Sequence, residues 1–374
     1  MQHPIIDMLK AYFKEETLEM DPTLESEIIS KAKEQALTPF LYIVYQKKEY
    51  RPFYISASIM QESFIRMQKE LTEKLNAAEI KHLYFKGSVL HELYPDSSLR
   101  TRGDIDVLVN TDKLNEAKEI MLQSGYKILG YEAQHHIEFE RDGHIVEVHY
   151  SLFDHYRTLE YFKKPFSLAV KKEEYLYEFT NENHFVFCLH HFANHLVRGA
   201  GLRYILDFYY MLKKWNMDLN LLHSIIGQVG YTKLYYNILN TIYFLTEEEL
   251  DNFPKEDIQF FVDYLLKSGI HGFGEENDIQ EKGFGMKNYK FKAILGGTFL
   301  TDKSYRIAKY PRLGKHWFTY PLCLIHRIFY LLFTQTGKLF RLLFSKKNKI
   351  SEEEKEQYLQ WVEKLVLKRV NGIM

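Results

Sequence analysis

The stretch LYFKGSVLHELYPDSSLRTRGDIDVLVN, residues 83–110, limits the fold more than any other part of the chain. A short apolar run stops at Lys86-Gly87-Ser88, and the apolar run that resumes at residue 104 carries Asp104 and Asp106. The connection from Ser88 to Asp104 has room for a two-turn helix, VLHELY, and a return loop, so the two runs are expected as neighbouring strands. Side chains two apart on a strand share a face, which projects Asp104 and Asp106 together while Ile105 and Val107 point the other way. Two adjacent carboxylates repel, and burying them without a counter-charge is costly. A divalent cation relieves that cost, and oxygen-only ligands suit Mg²⁺ or Mn²⁺, which share substrate phosphates. At Gly87-Ser88 a strand passes into a helix, whose first N–H groups attract phosphate oxygens. Gly87 allows close approach there, and the Ser88 hydroxyl adds a hydrogen bond. A third carboxylate would complete a two-metal site. It is found in HIVEVHYSLF, where Glu147 and His149 share the face opposite Val146, Val148 and Tyr150.

Around this stretch the hydrophobic spacing predicts a helix over 53–76, with Met60, Phe64, Met67, Leu71 and Leu75 on one face. Strands are expected at 82–86, 104–110, 126–130, 135–140 and 144–150. Helices follow at 87–94 and 112–124, the second closed by Gly125 as a C′ residue. Arg141-Asp142-Gly143 reads as the turn of a hairpin. Strands alternating with helices and closing on a hairpin imply one mixed sheet. The fold class is therefore α+β. A small mixed-sheet core over 51–165 is preceded by a helical region, 1–50, and followed by a helical domain, 166–374. Asp21-Pro22 and Thr38-Pro39 mark helix starts in the first region. Beyond residue 181 the pattern is helical, with a break at Gly199 and Gly201, a loop or hinge over 268–288 and a solvated connection or helix start over 345–357.

Gly-Ser at a strand–helix turn, Asp-x-Asp on the next strand and an acid on a later one resemble the nucleotidyltransferase superfamily of the DNA polymerase β type. The closer resemblance is to its bacterial branch of uncharacterised nucleotidyltransferases. That branch shows a Leu/Phe-Lys-Gly turn, an Arg ahead of Asp-Ile-Asp, and an acid-hydrophobic-His strand. Here these are Phe85-Lys86-Gly87, Arg100, Asp104-Ile105-Asp106 and Glu147-Val148-His149. A helix with His195 and Asp207, in HHFANHLVRGAGLRYILDFY, matches a further element of the branch. The resemblance covers about residues 80–210. Glu147 stands where the branch often has Asp, and Arg102 accompanies Arg100 in the loop before the second strand, so either arginine is a candidate to meet a phosphate.

The resemblance implies transfer of a nucleoside monophosphate from an NTP to an acceptor hydroxyl with release of pyrophosphate. Asp104 and Asp106 would hold two Mg²⁺ ions, and Gly87 and Ser88 would cradle the phosphates. Lys86 or Arg100 would neutralise them. Glu147 would bind the metal nearer the acceptor and act as general base. His149, His195, Arg203 and Asp207 are candidates for the acceptor side. Arg203 and Asp207 are spaced four apart, as an i,i+4 pair.

The remaining features set limits on partners. The net charge of −1 provides no global attraction for nucleic acid, so a polynucleotide acceptor is disfavoured against a small molecule or a protein. Two cysteines, Cys188 and Cys323, in apolar surroundings make no disulfide framework and suit a reducing cytoplasm. The first residues, MQHPIIDMLKAYFKEE, lack the apolar core of a secretory signal. His326, Arg327 and Lys338 interrupt the lipid-like segment 316–344, which reads as a buried helix pair or, alternatively, a membrane-surface helix. His191 and His195 have metal-pair spacing, but HHFAN lacks the metalloprotease Glu, so these are expected to face the core or the substrate. GGTFLTDKS, residues 296–304, lacks the Gly before Lys303 that a phosphate-binding loop requires. Two alternatives to an acceptor-specific enzyme remain. One is a catalytically silent binding or regulatory module. The other is the nucleotidyltransferase toxin of a toxin–antitoxin pair.

Overall fold

A computed structural model of the chain describes residues 3–129, 135–153, 159–196 and 199–270, and short stretches between 306 and 334. Its centre is one seven-stranded mixed sheet. The strands are β1 (His82–Tyr84), β2 (Asp104–Val109), β3 (Lys127–Ile128), β4 (His136–Arg141), β5 (His144–His149), β6 (Ala169–Lys171) and β7 (Leu176–Phe179). They lie in the order β3-β4-β5-β2-β1-β7-β6. β2 runs parallel to β5 and β1 runs parallel to β7, while the other pairs are antiparallel.

Alternation along β2 and β5 sorts the two faces. Ile105, Val107, Val109, Val146 and Val148 are buried with Phe64, Met67, Leu71 and Leu75 of helix α4 (Arg51–Ala77) and with Leu114, Ala117 and Met121 of α6 (Leu114–Gln123). Met60, expected on this face, is exposed, and its neighbour Gln61 is buried instead. The β4–β5 turn reduces to Asp142 and Gly143, both at positive φ, as a two-residue turn matched to strand twist requires. Gly125, with φ +83°, follows α6 as expected.

The opposite face carries Leu83, Phe85 and Leu108. They share a second core with helices α7 (Asn181–Leu196), α8 (Arg203–Lys214), α9 (Leu219–Val229), α10 (Thr232–Thr246) and α11 (Gln259–Ser268). The N-terminal helices α1 (Pro4–Phe13), α2 (Glu25–Glu34) and α3 (Thr38–Tyr45) join this same core. Gln35 is buried and shows how: its Nε2 donates to Leu265 O and Leu266 O at 2.9 and 3.1 Å, and its Oε1 accepts from Leu202 N at 2.7 Å. Helix α3 begins at Thr38 with Pro39 in its first turn, but the N-cap is Leu37, which makes no side-chain cap bond, rather than Thr38. Asp21 does not cap a helix. Its Oδ1 accepts from Thr23 N and Oγ1, closing a turn four residues before α2 begins at Glu25.

Helix α5 (Gly87–Leu90) is one turn, continued by a 3₁₀ turn over His91–Leu93. Helix α12 (Tyr320–Thr334) and the turn before it expose Trp317, Phe318, Leu322, Ile325 and Phe329, unlike the buried pair the sequence suggests. Among the described residues no helix is long and apolar enough to cross a membrane. Gly130, residues 271–288 of the expected hinge, the 296–304 segment, residues 335–344 and the 345–357 connection lie outside the described residues.

Candidate active site

β1 leads through Phe85 into Lys86, whose φ of +52° and ψ of −129° is a conformation L side chains rarely adopt. Two contacts hold it there. The Lys86 backbone N donates to His184 Nε2 at 3.3 Å, and Lys86 Nζ donates to Asp106 Oδ1 at 2.7 Å. Burial opposes the Lys86 charge, but Asp106, Glu147 and Asp104 outweigh it and raise its pKa. At Gly87 a Cβ would stand 2.7 Å from Arg100 Nη1 and 3.3 Å from Arg102 Cβ, so the glycine is needed for the approach of an arginine. The Ser88 hydroxyl, buried, accepts from Asp106 N at 3.1 Å and pins the turn to β2.

The parallel register sets Asp106 opposite Glu147, with Asp104 one pleat away opposite Ile145. His149 bridges the two acids: its Nε2 lies 3.1 Å from Asp106 Oδ1 and 3.0 Å from Glu147 Oε2. Burial works against the Glu147 carboxylate, yet the hydrogen bond and charge of His149 and the Lys86 ammonium hold its pKa well below the usual range. Burial works against the His149 charge, but its hydrogen bonds with Asp106 and Glu147 and their charges raise its pKa. Asp104 feels the Lys86 charge but receives no such hydrogen bond among the described residues. Burial first and then the Asp106 charge push its pKa up to about 6. One donor atom from each of Asp106, Glu147 and His149 lies within 4.8 Å of the others, a set with the chemistry to hold a divalent cation.

The helical side faces the same cleft, a space of about 410 Å³. Its walls include Lys86, Gly87, Arg100, Asp104, Asp106 and Glu147 from the sheet side, and His195, Arg203 and Asp207 from α7 and α8. Of the residues expected from sequence, Ser88 and His149 sit behind this surface rather than in it. The i,i+4 pair of Arg203 with Asp207 does not form. Asp207 instead accepts from Arg100 Nε at 3.0 Å and Nη2 at 2.9 Å, and from the Tyr94 hydroxyl at 2.8 Å. Arg100 and Asp207 are both buried, so each needs the other more than an exposed partner would. Arg203 turns to the loop before β2 and donates from Nη1 to Thr101 O at 2.7 Å. His195 Nε2 lies 3.2 Å from His191 Nε2.

Three more residues stand at the site: Arg102, a candidate beside Arg100 for the phosphate, and two histidines that motif spacing did not assign. Arg102 lines the cleft, buried, with its guanidinium 4.8 Å from the Phe64 ring centre. Its Nη1 donates to Gln68 Oε1 at 3.3 Å, while Nε and Nη2 have no hydrogen-bond partner among the described residues. Burial, then the Arg100 charge, lowers its pKa to about 10. His135 and His136 stand where β4 begins, and His136 is paired across strands with His149. The adjacent histidines were the available signal.

A family model described as uncharacterised nucleotidyltransferase matches residues 47–243, more than half of the chain. The match runs from the start of α4 into α10 and so takes in the whole sheet and both cleft helices. No curated protein and no solved structure matches the chain.

Proposed function

This chain belongs to the uncharacterised nucleotidyltransferase family, and from that premise we propose that it moves a nucleoside monophosphate from an NTP to an acceptor hydroxyl, releasing pyrophosphate. The observation that best supports this is the in-register pairing of Asp106 with Glu147 on parallel strands, one pleat from Asp104, beside a cleft with cationic walls. Asp104, Asp106 and Glu147 would hold Mg²⁺ or Mn²⁺, with His149 beside them. Such ions, when bound, neutralise charge on the attacking and leaving oxygens of an in-line displacement.

The chain's own groups take the following parts. The acceptor oxygen forms its bond to the α-phosphorus as the bond from that phosphorus to the bridging oxygen breaks, and pyrophosphate leaves. The acceptor proton passes to the Glu147 carboxylate, which His149 keeps ionised. Lys86 and the unpaired N–H groups of Arg102 receive the phosphates, with the Gly87 turn beside them. Arg100 is committed to Asp207 and supports the wall. Ser88 positions Asp106 through its backbone amide. His195 and Arg203 face the acceptor. A net charge of −1 favours a small molecule or a protein there over a polynucleotide. Free, buried Cys188 and Cys323 suit a cytoplasmic setting.

The test is incubation with NTPs labelled at the α-phosphate, Mg²⁺ and a cell extract. Magnesium-dependent label on an extract component supports transfer. A catalytically silent binding module is the second reading. It is favoured by the Lys86 ammonium, which already balances Asp106 at 2.7 Å. Tight NTP binding with no label transferred would select it.

A further inference from the structure

Three imidazoles converge at the open end of the β4–β5 hairpin. His135 precedes β4, His136 begins it, and His149, its cross-strand partner, ends β5. Their ring centres are 4.4 Å apart for His135 and His136, 4.9 Å for His136 and His149, and 5.4 Å for His135 and His149. One ring nitrogen from each lies within 4.8 Å of the other two. A second cross-strand pair, Glu138 with Glu147, borders the rings. His136 Nε2 is 3.3 Å from Glu138 Oε1, and His136 Nδ1 is 3.9 Å from Glu147 Oε2.

Packing alone leaves this cluster under-satisfied. His136 is 8% exposed and His149 2%, and the Nδ1 of each lacks a hydrogen-bond partner among the described residues. A buried ring nitrogen without a partner is costly, and in a folded protein such an atom is satisfied by a bound water or ion. Three imidazoles flanked by two carboxylates form a donor set that suits Zn²⁺, Co²⁺ or Mn²⁺, whereas Mg²⁺ takes oxygen ligands.

We propose that His135, His136 and His149, with a carboxylate from Glu138 or Glu147, form a transition-metal site on the β4–β5 hairpin, adjoining the Asp104–Asp106 pair. It shares His149 and Glu147 with the transfer site, but its donors are set by the hairpin and it stands whether or not the chain transfers nucleotides. It assigns two neighbouring donor sets to different metals. Oxygen ligands on β2 would take Mg²⁺, and nitrogen ligands on the hairpin would take a borderline-soft ion.

The test uses the tag-free full-length chain titrated with Co²⁺ in millimolar Mg²⁺, read by visible d–d absorption and calorimetry. One saturable Co²⁺ per chain, displaced by Zn²⁺, is expected. The ladder bonds of His135 are made by its backbone carbonyl, which accepts from Tyr150 N at 2.9 Å and Ser151 N at 3.2 Å and which alanine keeps, so His135→Ala should still fold, as circular dichroism checks. It should lose at least the ~10–100-fold in metal affinity that removal of an outer-shell partner already costs. ATP binding in Mg²⁺ is measured in parallel. Co²⁺ uptake without ATP binding supports the metal site while sinking the transfer reading. Failure of the wild-type chain to take up Co²⁺ or Zn²⁺ over Mg²⁺ overturns the proposal, and so does uptake undiminished in His135→Ala.

Discussion

Asp207→Ala leaves two buried groups without a partner at once. Arg100, 5% exposed, loses both acceptors of its fork, at 3.0 and 2.9 Å, and the Tyr94 hydroxyl loses the acceptor it holds at 2.8 Å. Removing one member of a buried ion pair costs ~3–5 kcal/mol, because the other charge stays buried. The lost tyrosine bond is part of that figure rather than an addition, since Asp207 borders the cleft and water can enter. Had Asp207 paired with Arg203 along an exposed helix face, the cost would be ~0.3–0.5 kcal/mol. The two arrangements therefore differ about tenfold in the energy a melting experiment reads. For a chain of this length each kcal/mol moves the midpoint by roughly 1.3 °C, so a fall of ~4–6 °C is expected by circular dichroism. A double-mutant cycle with Arg100→Met should show the double variant less destabilised than the sum of the singles, by ~2–3 kcal/mol. A midpoint within about 1 °C of wild type, or an additive cycle, would refute the argument.

Further outcomes follow from other parts of the molecule. Glu147→Gln should keep binding ATP in Mg²⁺ within a few-fold while transfer falls ~10²–10⁴-fold, and unchanged turnover would remove Glu147 as the base. Gly201→Ala would set a Cβ 2.6 Å from Gln35 Oε1 and 2.9 Å from Ile270 N, for a loss of ~1–3 kcal/mol in urea unfolding. Gly227→Ala, on α9 with nothing within 4 Å of the new Cβ, should instead gain ~0.5–1 kcal/mol, and a shared sign would refute the contact argument. Acid should destabilise the fold well above the carboxylate range. Burial lowers the pKa of His184 to about 3, and burial followed by the Arg102 charge lowers that of His91 to about 4, against an ordinary histidine value of 6.5. The unfolded chain then binds protons that the folded one refuses, so stability is full above pH ~6.5 and falls below it, by on the order of 1 kcal/mol per histidine between pH 6 and 5. A flat urea midpoint across that range would contradict it.

What was legible in the sequence is what two-residue and four-residue periods encode. β2 and β5 announce their faces by alternation, so the side of the sheet that Asp104, Asp106 and Glu147 share was readable before any coordinates. The turn at Asp142-Gly143 follows from its residue types. β6 and β7 were not legible: they are three and four residues long and carry partly exposed side chains, and the hairpin they form joins the sheet only through β7, which pairs with β1 far away in the chain. Nor was the union of the N-terminal helices with α7–α11, since Gln35 meets Leu202 and Leu265 across more than 160 residues of chain. Local rules offered Asp207 a partner four residues away, and a buried arginine from another element took it.

Gly87 marks the boundary between the two kinds of information. Its residue type is readable as a place where no Cβ fits, but the reason is not. A phosphate that must approach the backbone and an arginine that must pack on it demand the same absence. At Gly87 the arginine makes that demand, with Nη1 2.7 Å from where a Cβ would sit. A Gly87→Ala variant therefore cannot by itself separate a phosphate cradle from a support for Arg100, since a Cβ injures both. Asp207→Ala does separate them. It frees Arg100 and leaves the Gly87 backbone untouched, so NTP binding that survives the loss of the ion pair would credit the turn, and binding lost with it would credit the arginine.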